Sequence, residues 1–409
     1  METSTSLSRH TCWNTATQSL NCRSRKELTI RSTVAEIDLS AITNNVRQIL
    51  EHVKPSRVMA VVKANAYGHG AIPVAKTLIR EGVDYLAVAI PEEGITLREA
   101  GIKTPILVFL SPLSQDWDAF FTYDLACTIS SLDHAETASR IAQSKGHPLT
   151  CHINVDTGMG RLGIDFRSAI ALIQHIIHFP EIRIEGIYTH FSTALRENEI
   201  QTTKQLERFR HVLDKLKQAG IEIPLRHAAG STNAIDLPEA VFNMVRPGLI
   251  LYGYHPDSET ANQIDLKPSM SLKTQVSFLK SLPCGSSIGY GCTYITKEET
   301  TIAVLPVGYA DGFSRRLSNR GQVWIRGKAY PIIGVVCMDM IMIDVGQKPT
   351  VQVGDQAVLF GSDGMSLSDY CQSLEMIPYE VICGITNRVP RVYTGFTDKE
   401  VKEMNTWIQ

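Results

Sequence analysis

Apolar residues fall into two regimes along the chain. Between residues 57 and 254 they gather in eight short continuous runs, at 58–62, 85–90, 105–110, 126–130, 152–156, 184–190, 225–229 and 244–251. Continuous runs, as opposed to alternating ones, mark strands buried on both faces, the condition of a parallel sheet covered by helices. The segments between them carry helical signals. Residues 91–101 open with Pro91, place Glu92 and Glu93 early and Arg98 late, and stop at Gly101. That order suits the unpaired first-turn donors and the helix dipole. Residues 202–218 place Leu206, Phe209, Val212 and Leu216 at three- and four-residue steps, one face of a helix. Eight strand-then-helix units predict an α/β chain with an N-terminal (β/α)8 TIM-type barrel and chemistry at the strand C-termini. A doubly wound open sheet is the competing arrangement.

From about residue 270 the period changes. Residues 272–282, 301–307, 322–325, 331–336, 340–345 and 352–359 read as strands, separated by turn signals such as Pro283-Cys284-Gly285 and Gly327-Lys328. This predicts a mostly β C-terminal domain. A polar stretch at 257–268 marks the boundary. The expected division is a flexible extension at 1–31, a barrel at 32–265 that opens with the run Val34-Ala35-Glu36-Ile37-Asp38, and the β domain at 266–409.

Composition narrows the classes. The 409 residues are 44% hydrophobic and 20% charged, which excludes disordered, collagen-like and coiled-coil chains. Lys+Arg total 40 against 42 Asp+Glu, so there is no cationic excess to neutralise a phosphate backbone and no nucleic-acid partner is expected. The most apolar stretch, 330–345, is broken by Gly334 and Asp339. It is shorter than the roughly 18–20 residues of a membrane span, so the chain reads as soluble, with no membrane partner. Nine cysteines, an odd number with no CxxC, suit a reducing, cytoplasmic setting with free thiols and no metal framework. The first 30 residues set Arg9, Arg23, Arg25 and Lys26 against only Glu2 and Glu27 and lack a secretory apolar core. An organelle transit peptide and an unstructured extension are the two readings.

Lys63 follows the first apolar run and precedes Ala64-Asn65-Ala66-Tyr67-Gly68-His69-Gly70. Most lysines are solvated surface charges. One at the end of a first barrel strand stands where function concentrates. A partly buried amine gives up its proton more readily and becomes a nucleophile suited to Schiff-base chemistry. The small residues after it permit close backbone approach to a ligand.

The segment Val62-Lys63-Ala64-Asn65-Ala66-Tyr67-Gly68-His69-Gly70 resembles the pyridoxal-phosphate attachment segment of alanine racemases. Further segments match the family in order: Asp156-Thr157-Gly158-Met159-Gly160-Arg161-Leu162-Gly163, Tyr188-Thr189-His190-Phe191, Val245-Arg246-Pro247-Gly248 with Tyr252-Gly253, and Gly289-Tyr290-Gly291. So do Gly308-Tyr309-Ala310-Asp311-Gly312, Val336-Cys337-Met338-Asp339, Pro378-Tyr379-Glu380 and Arg388-Val389-Pro390-Arg391. The resemblance covers about residues 32–393.

The resemblance implies a homodimeric isomerase that racemises alanine with pyridoxal 5'-phosphate and supplies D-alanine as a cell-wall precursor. Lys63 holds the cofactor and is one of two bases; Tyr290 of the partner subunit is the other. Two groups on opposite faces spare one base from crossing the plane of the reacting centre. A phenol, with an ordinary pKa near 10, needs a positive neighbourhood to act as a base, and the resemblance sets His190 and Arg246 behind it. Arg246 faces the pyridine nitrogen. It donates a hydrogen bond without yielding its proton, which weakens the ring as an electron sink and favours simple proton return over transamination. Tyr67, Ser231, Tyr379 and the amides of Gly248 and Leu249 take the phosphate. Arg161 and the amide of Met338 from the partner take the substrate carboxylate. Tyr309 and Arg315 line the entrance, and His69, His227 and Asp339 are read as structural.

Two positions depart from the family. Asn154 stands where many relatives carry a carbamylated lysine bracing the arginine at the position of Arg161, so a bound anion or a plain hydrogen bond has to replace it. Gly230 stands where asparagine is usual. The alternatives are a racemase preferring serine or a broader set of amino acids, a barrel decarboxylase, and a non-catalytic cofactor-binding barrel. Decarboxylases of that type pair the ring nitrogen with a carboxylate, and the non-catalytic barrels lack the second domain.

Overall fold

Each of the eight apolar runs overlaps one strand of a single parallel sheet. The structure, a computed structural model, describes residues 31–255 and 263–395. The extension at 1–30, part of the expected boundary at 257–268 and the chain beyond 395 lie outside the described residues. The strands Arg57–Val61, Tyr85–Val88, Ile106–Val108, Cys127–Ile129, Leu149–Asp156, Ile182–Tyr188, Leu225–His227 and Met244–Val245 pair in parallel. The ends of this sheet meet through a parallel bridge between Leu107 and Ala126, which closes it into a barrel. The open doubly wound sheet is thereby excluded.

The helices form where their sequence signals lie. Pro91–Glu99 begins with proline at its first position, and Glu93 folds back so that its Oε2 accepts from the Ala89 amide at 2.8 Å. Glu199–Gln218 starts at Asn198, whose side chain accepts from the Gln201 amide. Its buried face includes Leu206, Phe209, Val212 and Leu216, as the spacing predicts. Among the described residues, no helix is long and apolar enough to cross a membrane.

The last strand is followed by the 3-10 turn Leu249–Tyr252 and not by a full helix. A helix from the start of the chain, Leu39–His52, packs against this turn and against the helix Ala71–Arg80. Asn45, fully buried on its inner face, ties it down: its Nδ2 donates to the carbonyls of Leu251 at 3.1 Å and Lys267 at 2.9 Å, and its Oδ1 accepts from the Lys267 amide at 2.7 Å.

The second unit is a nine-stranded mixed sheet. Its strand order is Phe278–Leu282, Thr300–Leu305, Ile341–Gly346, Lys328–Ile333, Gln322–Ile325, Gln356–Phe360, Met270–Gln275, Val34–Asp38 and Arg391–Thr394. The expected barrel span of 32–265 therefore includes a strand that lies elsewhere. Val34–Asp38 pairs antiparallel with Met270–Gln275 and parallel with Arg391–Thr394. Asp38 ends it and at once caps the helix Leu39–His52, accepting from the amides of Ser40 and Ala41. The described part of the chain thus starts in the second unit, crosses into the barrel and returns. Ile37, fully buried in that strand, tests the arrangement. Ile37→Asp places an unpaired carboxylate in the shared core, and a loss of about 3 kcal/mol or more is expected in denaturant melts. A loss below about 1 kcal/mol contradicts the placement of this strand.

Candidate active site

The C-terminal ends of the barrel strands and the segments just beyond them surround a cavity of about 650 Å³. A cavity of this volume suits a small cofactor with its substrate. Lys63, Tyr67, Arg161, His190, Ser231, Arg246, Gly248 and Tyr379 all line it. Leu249, fully buried, lies next to Gly248 at the start of the 3-10 turn. Residues from seven strand ends and from the helix Pro378–Gly384 of the second unit thus converge on one space.

Lys63 opens a turn that the sequence does not announce. Ala64, Asn65, Ala66 and Tyr67 all have φ between 52° and 54°, one turn of left-handed helix. For L-residues this costs roughly 1–2 kcal/mol per residue. It persists because its surroundings dictate it. Glu93 Oε1 accepts from the Ala64 amide at 2.5 Å, Asn65 Oδ1 accepts from the Ala71 amide at 2.8 Å, and Arg391 Nε donates to the Gly68 carbonyl at 2.9 Å. His69 Nδ1 lies 3.1 Å from the Ala66 carbonyl and 3.0 Å from that of Tyr67, so it carries the proton and donates to both. Burial holds His69 neutral, its pKa pushed down to about 4. The turn places the Lys63 amine and the Tyr67 hydroxyl on the same cavity.

The Lys63 amine is pulled below its ordinary pKa, first by burial and then by the charge of Arg161, with Glu93 opposing. Arg161 projects from a loop whose amides are gathered by Asp156: Oδ1 accepts from Gly158 at 2.9 Å, Met159 at 2.9 Å and Gly160 at 3.2 Å. Asp156 is thus occupied by backbone. The cations Lys63, Arg161 and Arg246 leave the cavity positive, and His190 registers the field. Its pKa falls to about 3, through burial first and then through Arg246, Arg161 and Lys63. Such a cavity favours an anionic ligand.

Arg246 is the most constrained of the three cations. It is fully buried, its Cζ 5.2 Å from the Tyr188 ring centre, and burial lowers its pKa to about 10. Its Nη2 donates to the carbonyls of Thr189 at 2.8 Å and Ala228 at 3.0 Å, and approaches His190 Nδ1 at 3.3 Å. Its Nη1 donates to His227 Nδ1 at 2.9 Å. A guanidinium only donates, so both imidazoles accept on Nδ1 and keep their proton on Nε2. His227, expected to be structural, is therefore a direct partner of the site. A histidine inside an apolar strand run gives no sequence signal that separates the two roles.

The residues present fit the phosphate and ring that the resemblance implies. A Cβ on Gly248 would lie 2.5 Å from the Tyr67 hydroxyl, so glycine alone leaves that space open. The Gly248 amide donates to Ser231 Oγ at 3.0 Å, and the Tyr67 and Tyr379 rings stand 5.8 Å apart. Hydroxyls and amides cluster here, while the amine and the guanidinium lie elsewhere on the wall, as a ligand with a phosphate, a carbonyl carbon and a ring nitrogen requires. Asn154 also lines the cavity. At Gly230 a Cβ would meet only His190, at 3.6 Å, so the missing side chain leaves open room.

Tyr290 and Met338 stand apart. Neither lines this cavity. Tyr290 follows Gly289 in a tight turn and is 73% exposed; Met338 is 51% exposed. The two belong to one end of the second unit. The Ile288 carbonyl and Gly334 are close-packed, and the amides of Tyr309 and Ala310 donate to the carbonyls of Cys337 and Met338 at 3.1 and 3.0 Å. Tyr309 is exposed on the same end, and Arg315 follows it in a 3-10 turn. Asp339 pairs with Arg388 at 2.8 Å on the surface.

Comparisons with known proteins agree with this architecture. Residues 37–256 match the family described as alanine racemase, N-terminal domain, and residues 269–393 match alanine racemase, C-terminal domain. Alanine racemase of Halothermothrix orenii is 46% identical over 367 residues, 89% of this chain and 97% of that protein. Alanine racemase of Methanococcus maripaludis is 45% identical, covering 88% and 98%. Among solved structures, alanine racemase of Clostridium difficile 630 superimposes with a TM-score of 0.85 at 37% identity, covering 89% of this chain and 96% of that one. The Bacillus anthracis enzyme, solved with bound L-Ala-P, gives 0.83 at 36% identity, covering 90% and 96%. Matched along both of its units by the family's two domains, this chain belongs to the alanine racemase family.

Proposed function

We propose that this chain interconverts L- and D-alanine with pyridoxal 5'-phosphate, as a homodimer in which Lys63 of one copy and Tyr290 of the other act on opposite faces of the substrate. The observation that carries the reading is the split of the site. The cavity gathers a nucleophilic amine and two guanidinium groups, its Asp156 is taken up by backbone amides and its His190 by Arg246, while a tyrosine stands 73% exposed at the end of the second unit. Tyr309, Met338 and Met340 are exposed with it, and grouped exposed apolar side chains of this kind mark an interface.

When bound, the cofactor supplies an electrophilic carbon that captures the substrate amine and a ring that raises the acidity of the hydrogen at Cα. Everything else falls to the chain. Arg161 pairs with the substrate carboxylate, helped by the Met338 amide of the second copy, and so fixes which way the Cα–H bond points. Lys63 Nζ, held below its ordinary pKa, accepts or returns a proton on one face. Tyr290 Oη does the same on the other. His190 is neutral and keeps its proton on Nε2. It offers that N–H to the phenol, with the Arg246 charge behind it, and lowers the cost of the phenolate. Arg246 donates without yielding its proton, so it keeps the ring nitrogen from becoming a strong electron sink. A serine or broader substrate set uses the same groups, and a panel of amino acids assayed for loss of optical rotation separates the two.

Borohydride treatment of the loaded protein is expected to fix the cofactor on Lys63; label on another lysine contradicts the assignment. Tyr290→Phe is expected to slow solvent-hydrogen exchange at Cα about 10²–10⁴-fold for one enantiomer, with a much smaller effect for the other. Equal losses argue against opposed bases. Arg161→Leu removes a charge that lowers the Lys63 pKa, so that pKa rises. The pH midpoint for cofactor condensation onto the empty protein then moves up, and an unchanged or lower midpoint contradicts the electrostatic role of Arg161.

A further inference from the structure

A second polar feature runs below the cavity, inside the barrel. His227 Nε2 lies 2.9 Å from His152 Nδ1, and His152 Nε2 lies 3.6 Å from Glu185 Oε2. Glu185 Oε2 also accepts from the Tyr85 hydroxyl at 2.9 Å. The strand register orders these residues by depth. His227 is level with Tyr188 and Asn154, His152 pairs two residues lower with Gly186, and Tyr85 is the first residue of its strand, at the end away from the cavity. The line Arg246, His227, His152, Glu185 thus descends from the cavity towards the opposite end of the barrel.

The barrel interior is built around this line. His152 and His227 are fully buried, and a Cβ on Gly186 would lie 2.2 Å from His152 Nδ1, so the absent side chain is what admits the imidazole. Tyr188 stacks on His227 at 4.9 Å and 11°, and its own hydroxyl is tied to Thr128 at 3.1 Å. His152 Nε2 is buried with no hydrogen-bond partner closer than the Glu185 carboxylate it faces. Among the described residues, no carboxylate forms an ion pair with Arg246 itself.

The chemistry of the ends sets the direction of the line. Arg246 only donates, so His227 accepts on Nδ1 and donates from Nε2. His152 then accepts on Nδ1 and turns Nε2–H towards Glu185. A carboxylate only accepts, so the far end agrees with the near end. Reversing either imidazole would set two donors or two acceptors face to face in a water-poor interior, at a cost of about 1–3 kcal/mol. Aligned donors polarise one another, so the carboxylate acts on the guanidinium through two neutral rings.

We infer that His152 and Glu185 are positioning residues for Arg246, fixing through His227 the single direction of a donor chain that holds the guanidinium aimed at the cofactor's ring nitrogen. The last clause rests on the function proposed above, whereas the chain itself does not. The cofactor-free protein, labelled with 15N-histidine, reports the two separately by two-bond 15N–1H correlation spectra. His227 and His152 are both expected as neutral rings with the proton on Nε2. A proton on Nδ1 of either, or a doubly protonated His152, overturns the chain whatever the enzyme does.

Glu185→Leu removes the terminal acceptor without adding bulk to the cavity. It is expected to shift the His152 and His227 signals together and to lower kcat on the order of tenfold, the effect typical of removing a partner behind a functional group. KM should move less than twofold. Glu185→Gln keeps an acceptor oxygen, and recovery of most of both the spectrum and kcat is expected. If Glu185→Leu shifts neither histidine, or leaves kcat unchanged while shifting them, the positioning role is overturned. Circular dichroism and melting of both variants identify a folding defect, and Glu185→Gln, close in shape to the native residue, keeps the test decisive in that case.

Discussion

A guanidinium buried in the mouth of a barrel must find acceptors to replace water, and most of the site answers that demand. Arg246 receives two strand-end carbonyls and two imidazole nitrogens, with the Tyr188 ring against its face. Each partner is thereby fixed in turn. His227 and His190 accept on Nδ1, and both are held neutral, first by burial and then by the Arg246 charge. Among the described residues no carboxylate forms an ion pair with this cation, which leaves the cavity positive and prepared for an anionic ligand. An aspartate in its place would reverse this logic and suit a protonated ring nitrogen.

The barrel supplies the rigid part of this arrangement. Parallel strands converge at their C-terminal ends, and short loops carry Lys63, Arg161, His190 and Arg246 into one space. The second unit contributes from two sides. Its helix Pro378–Gly384 brings Tyr379 into the cavity of its own chain, and its far end presents Tyr290 and Met338 away from that cavity. In the function proposed here, two copies face each other so that Tyr290 of each reaches the cavity of the other, and one two-fold interface then completes both sites.

Much of this was legible along the chain, for physical reasons. A parallel strand covered by helices must be apolar throughout, so all eight barrel strands stood out as continuous runs. The helix Glu199–Gln218 was legible because its burial is one-sided. The strand Val34–Asp38 reads along the chain as the opening of the barrel but pairs in the other sheet. Its partners lie more than 230 residues away, and local patterning carries no information about pairing at that distance. The left-handed turn after Lys63 was equally silent, because no glycine marks Ala64–Tyr67 and the conformation is imposed by Glu93, Asn65, His69 and Arg391. His152 and Glu185 sit inside strand runs as isolated polar residues, and only register shows that they share a line with His227.

The central claim is that neither chain holds a complete site, and mixing two disabled chains tests it most directly. Lys63→Ala and Tyr290→Phe chains, each weakly active, are unfolded together and refolded at equal concentration. Hybrid dimers then carry one site with both groups intact and one with neither. Random pairing makes about half of the dimers hybrids with one of two sites working, so recovery of about a quarter of the native activity is expected. Activity no higher than the average of the two variants, with hybrids demonstrated by native mass spectrometry, would contradict the account.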